Sequence, residues 1–282
     1  MTSLLSDRSL IGLGALLYLA GFVAGCLALA RRASGTGQRT ILDTLLAGGL
    51  IIQTLGLYLR GLAVGGCPLS NKFEIVQFVA WSAMVLYFVV GRTFRVTLLG
   101  LFTAGYAGCL AVAALFIPAW DVTQAGPRLF GHNPWIEFHA ALAVFSYGVF
   151  GILSLTSIMH LLQNWALKQK RLDGLFWFLP SVVQLDQINL RLLLAGIGLL
   201  SLSLAVGASW WVRDTASVDK AKLAVTVGVW AAYTLIFLLR WNRRLVSTRF
   251  AWACILLFMA ALVSLGPVNS SRRHEVILTP ER

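Results

Sequence analysis

Eight long apolar runs divide this chain, and they constrain its fold more than any other feature. None of them contains Asp, Glu, Lys or Arg. Each approaches the roughly 20 residues that a helix needs to cross about 30 Å of hydrocarbon. The runs cover residues 10–30, 44–59, 75–90, 96–120, 138–167, 192–212, 223–239 and 250–271.

The runs predict an all-α fold: a polytopic membrane bundle of about eight transmembrane helices, in a single domain over residues 1–282. Composition agrees, because 58% of the residues are hydrophobic and only 12% are charged, about half the charged content of soluble domains. We interpret the first run, 10–30, as a retained span, since it is longer than the apolar part of a signal peptide. Residues 174–185 are too short to span and are expected to lie along the interface.

Basic residues indicate which side of the membrane each loop occupies. The loops at 31–40, 91–95, 168–173 and 240–249 hold twelve Lys and Arg residues. Short cationic loops tend to stay in the cytoplasm. We therefore expect both termini, and the loops 60–73, 119–136 and 213–222, on the outer (periplasmic) side of a bacterial inner (plasma) membrane.

The net charge of +12 raises the question of nucleic-acid binding. The cations, however, stand in short clusters between apolar runs, with no long basic face and no basic groove studded with aromatic residues. We expect membrane lipid, and not nucleic acid, as their partner.

Four cysteines are scattered singly along the chain and form neither a CxxC redox pair nor a CxxCH haem-attachment motif. We expect three of them to be small apolar core residues and one to be a loop thiol. They are Cys26, Cys67, Cys109 and Cys254.

Histidines are the first candidates for site chemistry, because histidine ligates haem iron and a polar ring in a span suggests a functional site. His139 and His160 fall on one predicted helix, 21 residues apart, and a rise of 1.5 Å per residue separates them by roughly 30 Å. They cannot share one iron. His139 opens the fifth span and His274 follows the eighth, so topology predicts both at the outer interface, where His132 lies in the adjoining loop.

Simpler interpretations stay open for these residues. An interfacial histidine often serves only as an anchor, and His132 and His160 have the pattern of such residues. Trp135, His139 and Tyr147 share one helix face, which is equally typical of helix packing.

Hydrolytic and nucleotide-binding motifs are absent from the sequence, with no GxSxG, HExxH or P-loop pattern, and we predict no catalytic residues. Glu74 and Glu137 fall at outer ends of spans. We expect them to be neutralised, hydrogen-bonded or paired with Lys72 and Arg60.

Three stretches resemble the cytochrome c assembly proteins of the CcsA/CcmC/HemX type, most closely their CcsA-like and HemX/YpjD-like branch. RGLAVGGCPLSNKFEIVQFVAW (60–81) is similar to that branch's succession of Arg, Pro-Leu-Ser-Asn, aromatic-Glu, Phe and Trp. Trp135, His139 and Tyr147 match its W-x3-H-x7-Y pattern. The third stretch runs from LDQINLR (185–191) through Gly207-Ala208 and Asp219 to GPVNSSRRH (266–274). The resemblance covers about residues 40–275.

The resemblance implies a membrane protein that holds haem b non-covalently at the outer face and presents it for attachment to apocytochrome c. His139 takes the first axial position on the iron and His274 the second. Trp135, Trp210 and Trp211 would flank the porphyrin, beside the loop that holds Asp219. A ResB/CcsB-like subunit is the implied membrane partner. The position of Arg213, Lys220 and Lys222 beside the predicted site suggests that one of them pairs with the propionates.

Departures from the family pattern bear on activity. TASVDKAK (215–222) keeps Asp219 but lacks the tryptophans and the proline of the family's W-x-W-D-P-K segment. FLLRW (237–241) replaces the synthetase branch's intramembrane histidine, and Cys67 stands where that branch often has His. These losses favour the HemX/YpjD-like subgroup, and a haem-delivery or assembly factor over a haem-ligase enzyme.

A second hypothesis is a non-catalytic regulatory or scaffolding protein that binds no haem and docks a haem-synthesis or cytochrome-maturation partner. An electron-carrying b-type cytochrome would need two stacked intramembrane histidine pairs. Four histidines near the membrane edges do not supply them.

Overall fold

The computed structural model describes residues 6–31, 36–69, 71–94, 98–121, 134–170, 179–211 and 220–268. These residues form eight α-helices, a single 3-10 turn at Pro118–Trp120, and no strand. All eight helices are long and apolar enough to cross a membrane, which confirms the predicted all-α bundle. The helices are α1 (Asp7–Ala30), α2 (Thr36–Val64), α3 (Lys72–Phe94), α4 (Leu99–Phe116), α5 (Pro134–Lys168), α6 (Val182–Trp211), α7 (Lys220–Trp241) and α8 (Ser247–Val268).

Helix α6 begins earlier than its apolar run. The residues 182–185, expected to lie along the interface, form the first turn of α6. Residues 179–181 precede the helix, and 174–178 lie outside the described residues. The predicted start of this helix was too late because Asp186 and Arg191 interrupt the apolar run within the helix. Asp186 is ion-paired with Arg240, so its charge is compensated there.

Helix α5 is the centre of the bundle. It packs against α3, α6 and α8, while α1 packs against α2 and α4, and α7 against α8. Glycines allow close approaches: a Cβ added to Gly148 would overlap Ser82 Oγ on α3, and one added to Gly196 of α6 would overlap the Phe150 ring on α5. Small residues at such crossings let membrane helices approach closely.

An even number of spans puts the start of α1 and the end of α8 at one face of the bundle, together with the starts of α3, α5 and α7. We call this the N-terminal face. The opposite face holds the end of α5, the start of α6 and the α7–α8 connection.

At the N-terminal face an ion cluster joins α1, α2, α3 and the segment after α4. The Arg60 guanidinium contacts Glu74 (Nε to Oε1, 2.8 Å), Asp7 (Nη1 to Oδ2, 2.9 Å) and Asp121. Arg8 bonds to the same Asp121 (3.1 Å). Because Arg60 and Glu74 are buried, each charge depends on its partners for compensation.

Candidate functional site

His139 lies in the second turn of α5, at the N-terminal face. The helix starts with Pro134, whose fixed φ suits a first helical position and whose missing N–H is unneeded there. The Nδ1 atom of His139 lies 2.6 Å from the backbone oxygen of Ser203 on α6. Ser203 Oγ lies 3.0 Å from the same nitrogen and donates a 2.9 Å hydrogen bond to the backbone oxygen of His139.

These contacts define the chemistry of the imidazole. A carbonyl oxygen can only accept, so Nδ1 carries the hydrogen and donates to Ser203. In the neutral ring the lone pair is then on Nε2. Metal-binding histidines usually have this arrangement, with the remote N–H held by a carbonyl or carboxylate. His139 is half-buried.

The aromatic residues of the predicted site differ in their surroundings. The Trp135 side chain, one turn before His139, is 63% exposed, and Tyr147, two turns after it, is buried. Trp210 and Trp211 are the last residues of α6, two turns beyond Ser203 and towards the N-terminal face; their side chains lie outside the described residues.

Other predicted site residues fall outside the described part of the chain: His274, Asp219, His132 and Arg213. Lys220 begins α7, with Lys222 in its first turn. Helix α8, which precedes His274 by six residues at Val268, packs along α5. Within the described residues, no three His, Cys, Asp or Glu side chains come together as a metal site.

The stretch after α2 has a structural role that the sequence only partly predicts. Asn71 caps α3 through a 2.9 Å bond from the Glu74 N–H to its Oδ1, and its amide donates to Glu74 Oε1 (3.3 Å). The predicted pairing of Glu74 with Arg60 is confirmed. Asp7 and Asp121, which complete the cluster, were missed, because nothing in the local sequence links residues 53 and 61 positions away from Arg60.

Glu137 links α5 to the stretch between α2 and α3 at the same face. Its Oε2 accepts a 3.3 Å hydrogen bond from the backbone N–H of Cys67, which confirms the expectation of a hydrogen-bonded carboxylate. Burial raises the pKa of the Cys67 thiol to about 11, and the carboxylates of Glu137 and Glu74 act in the same direction. Cys67 is therefore a neutral thiol near pH 7.

The other cysteines only partly match their predicted environments. Cys254 is buried and Cys67 is a half-buried loop thiol, whereas Cys26 and Cys109 are exposed on α1 and α4. The expectation of three core cysteines is thus wrong for two. Helices that are apolar all round give no periodic signal that separates the core face from the lipid face.

His160, which the sequence suggested as an interfacial residue, has a fully buried side chain and so does not face lipid as an anchor would. Its Nε2 lies 2.9 Å from Ser247 Oγ on α8, and that hydroxyl donates to Asp186 Oδ1 at 3.0 Å. Asp186 is in turn paired with Arg240. The carboxylate thus binds the serine and not the histidine, unlike the order of a hydrolase triad, and the network fits a structural link among α5, α6, α7 and α8.

Comparison with known proteins identifies the family of the chain. The sequence profile of a family described as cytochrome C assembly protein matches residues 69–272, a range that includes His139 and ends two residues before His274. Protein HemX of Brevibacillus brevis is 27% identical over 237 residues, covering 82% of this chain and 86% of that protein. Protein HemX of Bacillus subtilis (strain 168) is 24% identical, covering 77% and 80%.

A second group of relatives matches a shorter part of the chain. The cytochrome c biogenesis protein CcsA of Rippkaea orientalis is 30% identical over 129 residues, which is 44% of this chain and 38% of that protein.

Proposed function

Because the chain belongs to the cytochrome C assembly protein family, in its HemX/CcsA-like branch, we propose that it binds haem b at the N-terminal face and handles it for cytochrome c assembly. His139 would be the first ligand to the haem iron. Haem supplies the iron that the imidazole binds and is itself the group to be delivered.

The observation that carries the proposal is the contact between His139 and Ser203. Donation from Nδ1 over 2.6 Å favours the tautomer whose Nε2 can bind iron. The hydrogen bond from Ser203 Oγ to the His139 carbonyl holds the same two helices together. Haem binding would therefore require little further ordering of the His139 ring. An anchor histidine would not require this reciprocal pair.

The other predicted site residues complete the proposed site. His274 would be the second ligand to the haem iron, and the packing of α8 along α5 supports this pairing. Trp135, Trp210 and Trp211 would flank the porphyrin, with Asp219 in the loop between α6 and α7. Arg213, Lys220 or Lys222 would pair with the propionates.

For location, we propose that the N-terminal face is the outer, periplasmic side of the bacterial inner membrane, on the basis of the loop charges. A ResB/CcsB-like subunit and apocytochrome c are the proposed partners there.

A regulatory or scaffolding role without haem is the second candidate. The two HemX relatives match over about four-fifths of the chain, whereas the CcsA relative matches over less than half, and the tryptophans of the family segment are missing here. In this alternative the chain docks a haem-synthesis or cytochrome-maturation enzyme.

Absorbance of the purified full-length protein after haem supplementation tests the proposal. We expect a Soret band whose intensity falls when His139 or His274 is replaced by Ala and is kept in His160→Ala, the matched control on the same helix as His139. Absence of a Soret band in the wild type would favour the scaffolding role. A band unchanged in both ligand variants would overturn the ligand assignment.

A further inference from the structure

An open cleft of about 560 Å³ lies beside the α7–α8 connection, on the face opposite to His139. The end of α7, the start of α8 and one residue of α6 line it. The lining residues used below are Arg240, Trp241, Arg243, Leu245 and Val246. Neither the proposed haem site nor the ion cluster of the N-terminal face involves any of them.

Two arginines make the cleft cationic. Arg240 is fixed in place, because its guanidinium is paired with Asp186 and donates to the Leu245 carbonyl over 2.8 Å. Arg243 is exposed and has no ion-pair partner among the residues that the structure describes. Asp186 neutralises one of the two charges, and the charge of Arg243 is left for a ligand.

The start of α8 adds positive potential to the same wall. Val246 accepts the first helical hydrogen bond, from Phe250 over 2.9 Å, and therefore holds the N-cap position. A valine has no side-chain oxygen with which to bind the N–H groups of the first turn. Such a turn favours anions, and here it opens beside Arg243.

The rim of the cleft is apolar. Trp241 is 72% exposed and Val246 is 61% exposed, and both lie where membrane-spanning helices end. Tryptophan is enriched at the level of lipid headgroups. A ligand for this cleft thus needs an anionic group for Arg243 and an apolar body for the rim.

We propose that the cleft binds the phosphate of an anionic phospholipid, with Arg243 and the first turn of α8 on the phosphodiester and with Trp241 and Val246 against the acyl region. Free phosphate would use the arginine but not the apolar rim, which is why the observations favour the lipid. Basic pockets between membrane helices bind phospholipid headgroups in this way.

Native mass spectrometry of the full-length protein in detergent, with phosphatidylglycerol, phosphatidylcholine or inorganic phosphate added, tests the proposal. The informative variant is Arg243→Asn, because Arg243 has a positive φ of 56° and asparagine tolerates that conformation. Arg31→Asn is the matched control, an exposed arginine at the same face that does not line the cleft. Arg243→Lys keeps the charge.

We expect phosphatidylglycerol to bind more tightly than phosphatidylcholine, and Arg243→Asn to weaken its binding about fivefold. Arg31→Asn and Arg243→Lys should leave that binding within about twofold of the wild type. This limit is well below a tenfold change in affinity, which corresponds to about 1.4 kcal/mol. Equal lipid binding by the two asparagine variants would overturn the proposal. Binding of inorganic phosphate with the same dependence on Arg243 would overturn the lipid assignment in favour of a soluble anion.

Discussion

The Nε atom of Arg60 donates a 2.8 Å hydrogen bond to Oε1 of Glu74, and both side chains are buried at the N-terminal face. One guanidinium thereby connects α2 to α3, and through Asp7 and Asp121 to α1 and the segment after α4. Phe73 lies below it, with its ring centroid 5.1 Å from the Arg60 Cζ atom. The residues that carry part of the family resemblance thus hold the first four helices together.

Replacement of Arg60 by Ala should lower the free energy of unfolding by about 3 kcal/mol or more, because it leaves buried Glu74 without its cation. Thermal unfolding in detergent, followed by circular dichroism, measures the effect. Arg31→Ala removes an exposed arginine and should change stability by less than about 0.5 kcal/mol. Equal effects of the two changes would contradict a structural role for the cluster.

Replacement of Gly148 by Ala should destabilise the contact between α3 and α5 by about 1 to 3 kcal/mol, because the added Cβ would overlap Ser82. Gly228→Ala is the matched control, since nothing lies within 4 Å of a Cβ at that position of α7. The control should be neutral or slightly stabilising, as alanine favours helix over glycine. The melting temperatures of the two variants measure the effect. A Gly148→Ala protein as stable as the wild type would contradict this packing.

The Cys67 thiol should alkylate slowly at neutral pH. Its pKa is raised from the ordinary value of 9.0 to about 11, so the neutral form is preferred and the reactive thiolate is scarce. The alkylation rate, measured in a variant that retains Cys67 as its sole cysteine, should rise about tenfold per pH unit between pH 7 and pH 10.

The same measurement in a Glu137→Gln background separates the causes of the shift. Removal of one nearby carboxylate should lower the pKa of Cys67 and speed alkylation at a given pH. A rate that levels off near pH 9 in the parent protein would show that the thiol is not buried as described.

His160→Ala should lower the free energy of unfolding by about 1 to 3 kcal/mol, because it removes the partner of Ser247 in the buried network at the opposite face. Haem retention should be unaffected, since His160 lies at the other end of α5 from His139. Parallel measurements of melting temperature and Soret absorbance check both outcomes. Loss of the Soret band from a protein that remains folded would mean that His160 belongs to a haem site.

The helix count follows from the sequence because an uncharged run of this length can form few structures other than a membrane-spanning helix. The separation of His139 from His160 follows equally, since both fall on one helix of known rise. The pairing of Arg60 with Glu74 was predictable as one of a few short-range options.

The contacts between distant segments were not predictable. Ser203 is 64 residues from His139, and no periodicity marks it among the many small residues of α6. The burial of His160 escaped prediction for a related reason: α5 is apolar on all sides, so its core face cannot be distinguished from its lipid face by pattern. The partners Asp186 and Ser247 come from two other helices, and only the tertiary structure brings them together.

Imidazole rescue of a His139→Gly variant tests the central claim most directly, because it asks whether iron binds the ring of His139 itself. Full-length protein supplemented with haem should show a Soret band in the wild type, a strongly reduced band in His139→Gly, and a band that returns when imidazole is added. His160→Gly should behave as the wild type with or without imidazole. A His139→Gly protein that remains folded and keeps the wild-type Soret band without imidazole would contradict the assignment of His139 as an axial ligand.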